Sequence, residues 1–265
     1  MKKYLVIGNP VEHSLSPKLH NYWIKENKID AVYNKKQLNE IDIQKIISEV
    51  KNGEIDGINV TVPFKKTVIP FLNELTSVAK KTKSVNTIYK KMDKVIGDNT
   101  DVGGFESALQ NINYNVKGKR AFILGAGGVA PSIILALKKM GASKIILSNR
   151  TKQKAEDLKK IYPELNLVNW GDVPEFDIII NATSLGLKEN DTIKLDYSVI
   201  GPNKFFYDII YNPSKTKFLS KGKELGNQIE NGKTMFAYQA QLAFKIWHNI
   251  EPKIDEKVLK LLEND

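Results

Sequence analysis

Short hydrophobic runs alternate with segments of helical periodicity along almost the whole chain. This alternation is typical of βαβ units, in which a buried strand is followed by an amphipathic helix. We therefore predict an α/β fold. In the first half of the chain, the pattern predicts strands over 3–8, 31–36, 56–61 and 85–89 and helices over 17–27, 42–52 and 74–81. Pro17 suits the first turn of a helix, with Ser16 as its expected cap.

A second series of the same kind begins near residue 118. It predicts strands over 119–124, 144–148, 177–181 and 205–209, helices over 128–140 and 152–162, and a helical tail. At roughly 150 residues per domain, a length of 265 residues also favours two domains. We expect an N-terminal α/β domain over 1–101, completed by C-terminal helices over 233–265. A Rossmann-type dinucleotide-binding domain is expected over 102–232, with a cleft between the two.

The amino-acid composition excludes several kinds of site and several classes of protein. The chain has no cysteine, which excludes disulfides, thiolate metal sites and a cysteine nucleophile. Its three histidines are not grouped with acidic residues, so we expect no metal site. The longest apolar runs are strand-sized, and the N-terminus turns polar within a few residues. These features predict a cytoplasmic protein without a membrane segment.

The net charge of +10 raises the possibility of a nucleic-acid partner. Of the 40 basic residues, however, only Arg120 and Arg150 are arginine, and the lysines are scattered. Surfaces that bind bases and phosphates usually favour arginine, because its planar fork donates two parallel hydrogen bonds. We therefore expect a lysine-rich solvated surface and no nucleic-acid partner. Salt-sensitive DNA binding would revive the alternative.

A glycine-rich turn lies between a predicted strand and a predicted amphipathic helix. Its G-x-G-x-x-A pattern is a dinucleotide fingerprint in the expected context. Gly125 permits the tight turn, Gly127 lets backbone N–H groups approach a pyrophosphate, and Ala130 allows close packing of helix on strand. The residues of this turn that we expect to hold the cofactor are Gly125, Ala126, Gly127, Gly128 and Val129.

The next strand of the same unit ends in Ser-Asn-Arg-Thr, about twenty residues further on. Enzymes that prefer NAD usually carry an acidic residue there for the ribose 2′-hydroxyl, whereas a basic residue accommodates the 2′-phosphate of NADP. Arg150 occupies this place, and Lys154 adds charge one helical turn later. We therefore predict NADP as cofactor, with Asn149 and Thr151 beside the arginine.

Four polar stretches in the first half fall at 9–17, 57–65, 85–87 and 97–101. Taken singly, their residues have ordinary explanations: Asn86 suits a turn, Asp101 suits the first turn of a helix, and Lys65 is one lysine among many. Asn59 and Thr61 share one face of a strand, because side chains alternate.

It is the combination that resembles a known family. The motifs HSLSPKLHN, GINVTVPFK, SVNTI, GDNTDVGGF, LGAGGVA, SNRT, NATSLG and DIIYNP occur in the order seen in shikimate dehydrogenases. The resemblance spans residues 8–248. It implies a small-molecule oxidoreductase that acts on a CH–OH group. The implied reaction is the reversible, NADPH-dependent reduction of 3-dehydroshikimate to shikimate in aromatic amino-acid biosynthesis.

The resemblance also implies roles for individual residues. Lys65 and Asp101 would be the catalytic pair at the reacting carbonyl, although which of them is the formal acid stays open. The other implied substrate-binding residues are Ser14 and Ser16 with Tyr211 at the carboxylate, and Thr61, Asn86 and Gln239 at the ring hydroxyls. Thr183, Ile209 and Gly232 would contact the cofactor.

Two alternatives remain at this point. The first is a quinate/shikimate dehydrogenase with broader substrate and cofactor use, which Arg150 disfavours. The second is a catalytically silent nucleotide-binding module, which the presence of both Lys65 and Asp101 disfavours. The oligomeric state is expected to be monomer or homodimer.

Overall fold

The computed structural model describes residues 1–188 and 190–263. The chain divides into two compact units. The first comprises Met1–Gly104 and Ala237–Asp265, and the second comprises Phe105–Phe236. Both divisions fall inside helices, a few residues beyond the predicted domain limits.

Strands and helices alternate as the hydrophobic pattern predicts. In chain order, the strands are β1 (Lys2–Gly8), β2 (Ala31–Gln37), β3 (Gly57–Val60), β4 (Glu74–Leu75), β5 (Thr87–Lys91), β6 (Lys94–Asp98), β7 (Arg120–Leu124), β8 (Lys144–Ser148), β9 (Asn166–Val168), β10 (Ile178–Asn181), β11 (Phe205–Asp208) and β12 (Gln228–Glu230). The helices are α1 (Ser16–Glu26), α2 (Ile43–Asn52), α3 (Ser77–Thr82), α4 (Asp101–Asn111), α5 (Ala130–Lys139), α6 (Lys152–Ile161), α7 (Lys217–Glu224), α8 (Lys233–His248) and α9 (Glu256–Leu261). Short 3-10 helices lie at Glu40–Asp42, Ile69–Phe71 and Tyr197–Val199.

The first unit contains a six-stranded sheet in the order β2-β1-β3-β5-β6-β4. It is mixed, because β5 runs antiparallel to both β3 and β6. The prediction of parallel units is therefore incomplete here. The pattern missed β6, which returns beside β5 after a two-residue turn at Met92 and Asp93. Lysines on both sides of this turn, at Lys90, Lys91 and Lys94, obscure the hydrophobic alternation.

Helix α2 covers one face of this sheet with Ile43, Ile46, Ile47 and Val50, which are spaced three and four residues apart and are all buried. The helix ends at Gly53, whose φ of 80° is readily adopted only by glycine. Burial of this apolar stripe supplies most of the helix's stability, since isolated helices of this length are marginal.

Several helices do not start where the sequence predicts, and α5, expected from residue 128, begins at Ala130. Helix α1 begins at Ser16 with Leu15 in the cap position, and Ser16 does not act as the cap. Instead, the Ser14 hydroxyl accepts a hydrogen bond from the Ser16 N–H at 3.3 Å. The helix predicted over 74–81 begins at Ser77, because Thr76 caps it by accepting from the Ala79 N–H. The two residues at its expected start form β4 instead.

The second unit contains a parallel six-stranded sheet in the order β12-β11-β10-β7-β8-β9. The strand order reverses between β7 and β10, which is the arrangement of a Rossmann-type domain and confirms the predicted fold class. The edge strands β9 and β12 are only three residues long and were not predicted. Ligands of such sheets bind at the carboxyl ends of the strands, where the strand order reverses. The loops after β7 and β10 lie at this point.

Candidate active site

Lys65 and Asp101 form a buried ion pair in the first unit. The Lys65 Nζ lies 2.5 Å from the Asp101 Oδ2, and the two residues are only 8% and 5% exposed. Lys65 is in the turn after β3, and Asp101 is the first residue of α4. The Lys65 carbonyl accepts a hydrogen bond from the Val85 N–H, which ties that turn to the segment before β5. The structure thus joins two residues that lie 36 positions apart.

Asn86 is the second partner of the Asp101 carboxylate. Its Nδ2 donates to Asp101 Oδ1 and to Thr100 Oγ1, each at 2.9 Å, while its Oδ1 accepts from the Thr100 N–H at 2.8 Å. The same Nδ2 lies 3.4 Å from the Gln239 Oε1. Four residues that sequence analysis singled out, Lys65, Asn86, Asp101 and Gln239, therefore form one hydrogen-bonded cluster.

Ser14, Ser16 and Thr61 lie at the same edge of the first sheet. The serines follow β1 and Thr61 follows β3, and these two strands are parallel neighbours. Ser16 is buried, whereas Ser14 and Thr61 are half-buried. The Thr61 N–H donates to the Ile7 carbonyl at 2.9 Å, which extends the pairing of β1 and β3 by one residue. Hydroxyl donors therefore line the carboxyl edge of this sheet.

Tyr211 belongs to the second unit. Its ring packs against Phe236, with the two ring centres 4.6 Å apart.

The glycine-rich turn of the second unit connects β7 to α5. Gly125 has φ 106°, and a β-carbon there would lie 2.9 Å from the Ala182 carbonyl oxygen, so no larger residue fits. A β-carbon on Gly127 would meet nothing closer than 3.8 Å, and this residue is exposed. A ligand can therefore come close to the backbone at Gly127, just before the start of α5. Backbone N–H groups at the start of a helix favour phosphate.

Asn149 joins this turn to the end of β8. Its Oδ1 accepts from the Ala126 N–H at 3.0 Å, and its Nδ2 donates to the Thr151 carbonyl at 2.7 Å. Arg150, Thr151 and Lys154 are exposed beside it, and within 1–188 and 190–263 neither cation forms an ion pair. Unpaired cations beside this glycine-rich turn suit the charge of the 2′-phosphate of NADP.

Thr183, Ile209 and Gly232 follow β10, β11 and β12, respectively. The Thr183 hydroxyl donates to the Asn181 Oδ1 at 2.7 Å. A β-carbon on Gly232 would overlap the Ile209 carbonyl oxygen, so these two backbones touch and the position requires glycine. The three residues thus lie at the carboxyl ends of adjacent strands, as expected for the cofactor side of a Rossmann sheet.

Sequence analysis gave no role to Asp208, which ends β11. Its side chain is completely buried and accepts hydrogen bonds from Thr216 Oγ1 at 2.6 Å, Asn181 Nδ2 at 3.0 Å and the Ile210 N–H at 3.0 Å. Asp208 therefore joins the loop after β10 to the loop after β11. Burial raises the pKa of this carboxyl to about 6, because the lost hydration outweighs the three hydrogen bonds that favour the carboxylate. An acid at the end of an otherwise apolar strand was the signal available in the sequence.

The raised pKa of Asp208 predicts a pH-dependent stability. The folded protein binds this proton more tightly than the unfolded chain, whose Asp titrates near 4. Relative to an Asp208→Asn variant, the wild-type free energy of unfolding should therefore rise by about 2 to 3 kcal/mol as pH falls from about 6 to about 4. Urea unfolding across this range measures the difference. Asp93→Asn, at an exposed turn, is the control, and a difference independent of pH would contradict the prediction.

No group of three or more His, Asp or Glu residues in the described part of the chain could hold a metal ion. Across 1–188 and 190–263, no helix has the length and apolar composition needed to cross a membrane.

Comparison with known proteins decides the family. The model for the shikimate dehydrogenase substrate-binding domain matches residues 6–88, and the model for shikimate/quinate 5-dehydrogenase matches 106–191. A shikimate dehydrogenase (NADP(+)) of Pelagibacter ubique is 55% identical over 262 residues, which cover 99% of each chain. The chain belongs to the shikimate dehydrogenase family.

Solved structures of the shikimate dehydrogenase family have the same fold. The enzyme of Aquifex aeolicus matches 100% of this chain and 98% of its own with a TM-score of 0.92 at 38% identity. A shikimate dehydrogenase in complex with NADP+ matches 99% of this chain and 94% of its own, with a TM-score of 0.93 at 34% identity. The family resemblance seen in the sequence motifs thus extends over the whole fold.

Proposed function

We propose that this chain catalyses the reversible, NADPH-dependent reduction of 3-dehydroshikimate to shikimate. The observation that carries the proposal is the buried Lys65–Asp101 pair, joined through Asn86 to Gln239, in a chain of the shikimate dehydrogenase family. A silent nucleotide-binding module would not need to keep an ammonium and a carboxylate buried together, which is costly unless the pair is used or well compensated. The names of the curated relatives favour shikimate over the broader quinate/shikimate alternative.

In this proposal the substrate carboxylate is bound by the hydroxyls of Ser14, Ser16 and Tyr211. Neutral donors satisfy the lone pairs of a carboxylate without a buried counter-charge. Thr61, Asn86 and Gln239 bind the ring hydroxyls. An amide both donates and accepts, so Asn86 and Gln239 can bind a substrate hydroxyl in either role.

Lys65 and Asp101 act at the oxygen of the reacting carbon. When bound, NADPH supplies the hydride. As negative charge develops on the substrate oxygen, the Lys65 ammonium donates a proton to it and stabilises the charge before transfer. Asp101 holds the Lys65 Nζ in place through its Oδ2, while Asn86 fixes the other carboxylate oxygen. In the oxidation of shikimate, the same pair receives the proton of the hydroxyl.

The second unit supplies the cofactor site. The turn of Gly125, Ala126, Gly127, Gly128 and Val129 would bind the pyrophosphate. Asn149, Arg150, Thr151 and Lys154 would bind the adenosine ribose and its 2′-phosphate, and Thr183, Ile209 and Gly232 would lie on the nicotinamide side. A cytoplasmic location and a monomeric or homodimeric state belong to the same proposal. Light scattering of the purified protein measures the oligomeric state.

Reduced-nicotinamide absorbance tests the function directly. Shikimate and quinate are each assayed with NADP and with NAD. We expect the highest kcat/KM for shikimate with NADP, because Arg150 provides a site for the 2′-phosphate. A comparable kcat/KM for quinate would favour the broader enzyme, and no turnover with any of the four combinations would overturn the proposed activity.

A further inference from the structure

A chain of buried hydrogen bonds leads from the Asp101 carboxylate to Tyr33 on β2. The Tyr33 hydroxyl donates to the Asn59 Oδ1 at 2.7 Å, and the Asn59 Nδ2 donates to the Thr87 Oγ1 at 3.2 Å. The Thr87 hydroxyl donates to the Asn86 Oδ1 at 3.0 Å, and the Asn86 Nδ2 donates to Asp101. All of these side chains are buried.

Every donor in this chain points the same way, from Tyr33 toward the carboxylate. Hydrogen bonds aligned head to tail polarise one another, so that each strengthens the next. The Asn59 Nδ2 also donates to the Asn86 carbonyl at 3.1 Å. Reversal of the Asn59 amide would set its oxygen against that carbonyl, which can only accept. The Asn86 carbonyl therefore fixes the amide orientation in which the Asn59 Oδ1 faces the Tyr33 hydroxyl and accepts its hydrogen.

The Tyr33 hydroxyl keeps its proton. Burial raises the pKa of this phenol well above its ordinary value, because the phenolate would lose its hydration. The hydroxyl therefore remains the donor to the Asn59 Oδ1, at the far end of the network that reaches the catalytic pair.

Stacking fixes the position of the Tyr33 ring. His20, one turn after Ser16 on α1, lies parallel to it, with a centroid distance of 4.3 Å and an interplanar angle of 4°. Tyr33 is only 1% exposed. Burial lowers the pKa of His20 to about 3, so this imidazole is neutral and serves as a flat packing surface. The ring therefore has little freedom to carry its hydroxyl elsewhere.

We propose that Tyr33 is a positioning residue, whose hydroxyl orients Asn59 and, through Thr87 and Asn86, supports the Asp101 carboxylate at the reacting end of the substrate. This inference rests on the function proposed above. Loss of the hydroxyl leaves the Asn59 Oδ1 without its donor. This change weakens the support of the Asp101 carboxylate.

Tyr33→Phe tests this inference, because it keeps the stacked ring and removes only the hydroxyl. We expect kcat/KM for shikimate to fall about tenfold, mainly through a lower kcat, with the KM for NADP unchanged within about twofold. Tyr4→Phe is the matched control. Tyr4 is a buried tyrosine of the same unit that packs on Trp247 and His248, and none of its described hydrogen bonds reaches the network. This variant should retain wild-type constants.

A double-mutant cycle separates positioning from general damage to the fold. If Tyr33 acts through Asn59, adding Tyr33→Phe to Asn59→Ser should leave kcat for shikimate within about twofold of that of Asn59→Ser alone. Asn59→Ser by itself should lower kcat without changing the KM for NADP. This variant provides the test if Tyr33→Phe does not fold.

Three outcomes would overturn the inference. One is a kcat/KM for shikimate within twofold of Tyr4→Phe. Another is an equal rise in the KM for shikimate and for NADP together with a lower Tm, which is the result of a purely structural role. The third is the absence of shikimate turnover by the wild type. Only that third outcome also overturns the proposed function, so the two failures are distinguishable.

Discussion

Replacement of Lys65 by alanine is expected to lower kcat for shikimate oxidation by about 10²- to 10⁴-fold. This is the range typical of losing a general acid or base, and no other described ammonium or histidine is bonded to the Asp101 carboxylate. The substitution removes both the proton donor and the positive charge beside the substrate oxygen. Because the charge acts mainly as the transition state forms, we expect kcat to fall much more than the KM for shikimate rises.

The neighbouring lysine offers a matched control. Lys66 is exposed, so Lys66→Ala should retain wild-type kcat. Lys65→Ala leaves the Asp101 carboxylate buried without its cation, which can cost about 3–5 kcal/mol of stability. Asp101→Asn and the double variant Lys65→Ala, Asp101→Asn are therefore assayed as well, with thermal unfolding. Residues that act as a unit are not additive, so the double variant should lose no more activity than Lys65→Ala. Full turnover by either folded single variant would refute the pair assignment.

Arg150→Asp is expected to shift the ratio of kcat/KM for NADP to kcat/KM for NAD by about 10²-fold toward NAD. A charge-assisted hydrogen bond contributes about 1.5–3 kcal/mol, which corresponds to about 10- to 150-fold in affinity. The introduced carboxylate repels the 2′-phosphate and can accept a hydrogen bond from the ribose 2′-hydroxyl of NAD. Because Arg150 is exposed and unpaired within the described residues, its loss breaks no ion pair of the fold.

The control for Arg150 lies on the next helix. Lys159→Ala removes an exposed cation near the end of α6 and should leave the ratio within about twofold of wild type. Lys154→Ala, nearer to the proposed phosphate site, should have an intermediate effect. Steady-state kinetics with both cofactors at saturating shikimate measure the ratios. An unchanged ratio in Arg150→Asp would show that the 2′-phosphate is recognised elsewhere.

The Rossmann unit was the more predictable half of the molecule. Its strands are buried on both faces, so they occur in the sequence as continuous apolar runs. The glycine-rich motif marks the junction between the first strand and the first helix of this unit. The first unit was predicted less completely. Its β5–β6 hairpin carries lysines at Lys90, Lys91 and Lys94, and this polar composition hid the second strand.

The candidate site shows a similar division. Motif resemblance identified Lys65, Asp101 and Asn86, but their hydrogen-bond partners could not be inferred from residue type. Thr87 and Tyr33 carry no signal in the sequence. Thr87 is simply the residue after Asn86, and Tyr33 lies in a strand rich in polar residues. Their role depends on which strands become neighbours in the sheet. Strand β3 lies between β5, which carries Thr87, and β1, and β1 pairs in turn with β2, which carries Tyr33.

The sequence by itself determined the α/β class, the dinucleotide turn, the preference for NADP suggested by Arg150, and the family. These features depend on local periodicity, on backbone conformations that only glycine adopts easily and on charge at a defined place after a strand. Only the tertiary structure decided that Asp101 shares its carboxylate between Lys65 and Asn86, that Asp208 is completely buried, and that Tyr33 donates to Asn59. Hydrogen bonding and desolvation depend on distances of a few ångströms between residues far apart in the chain, and these distances exist only once the sheets have formed.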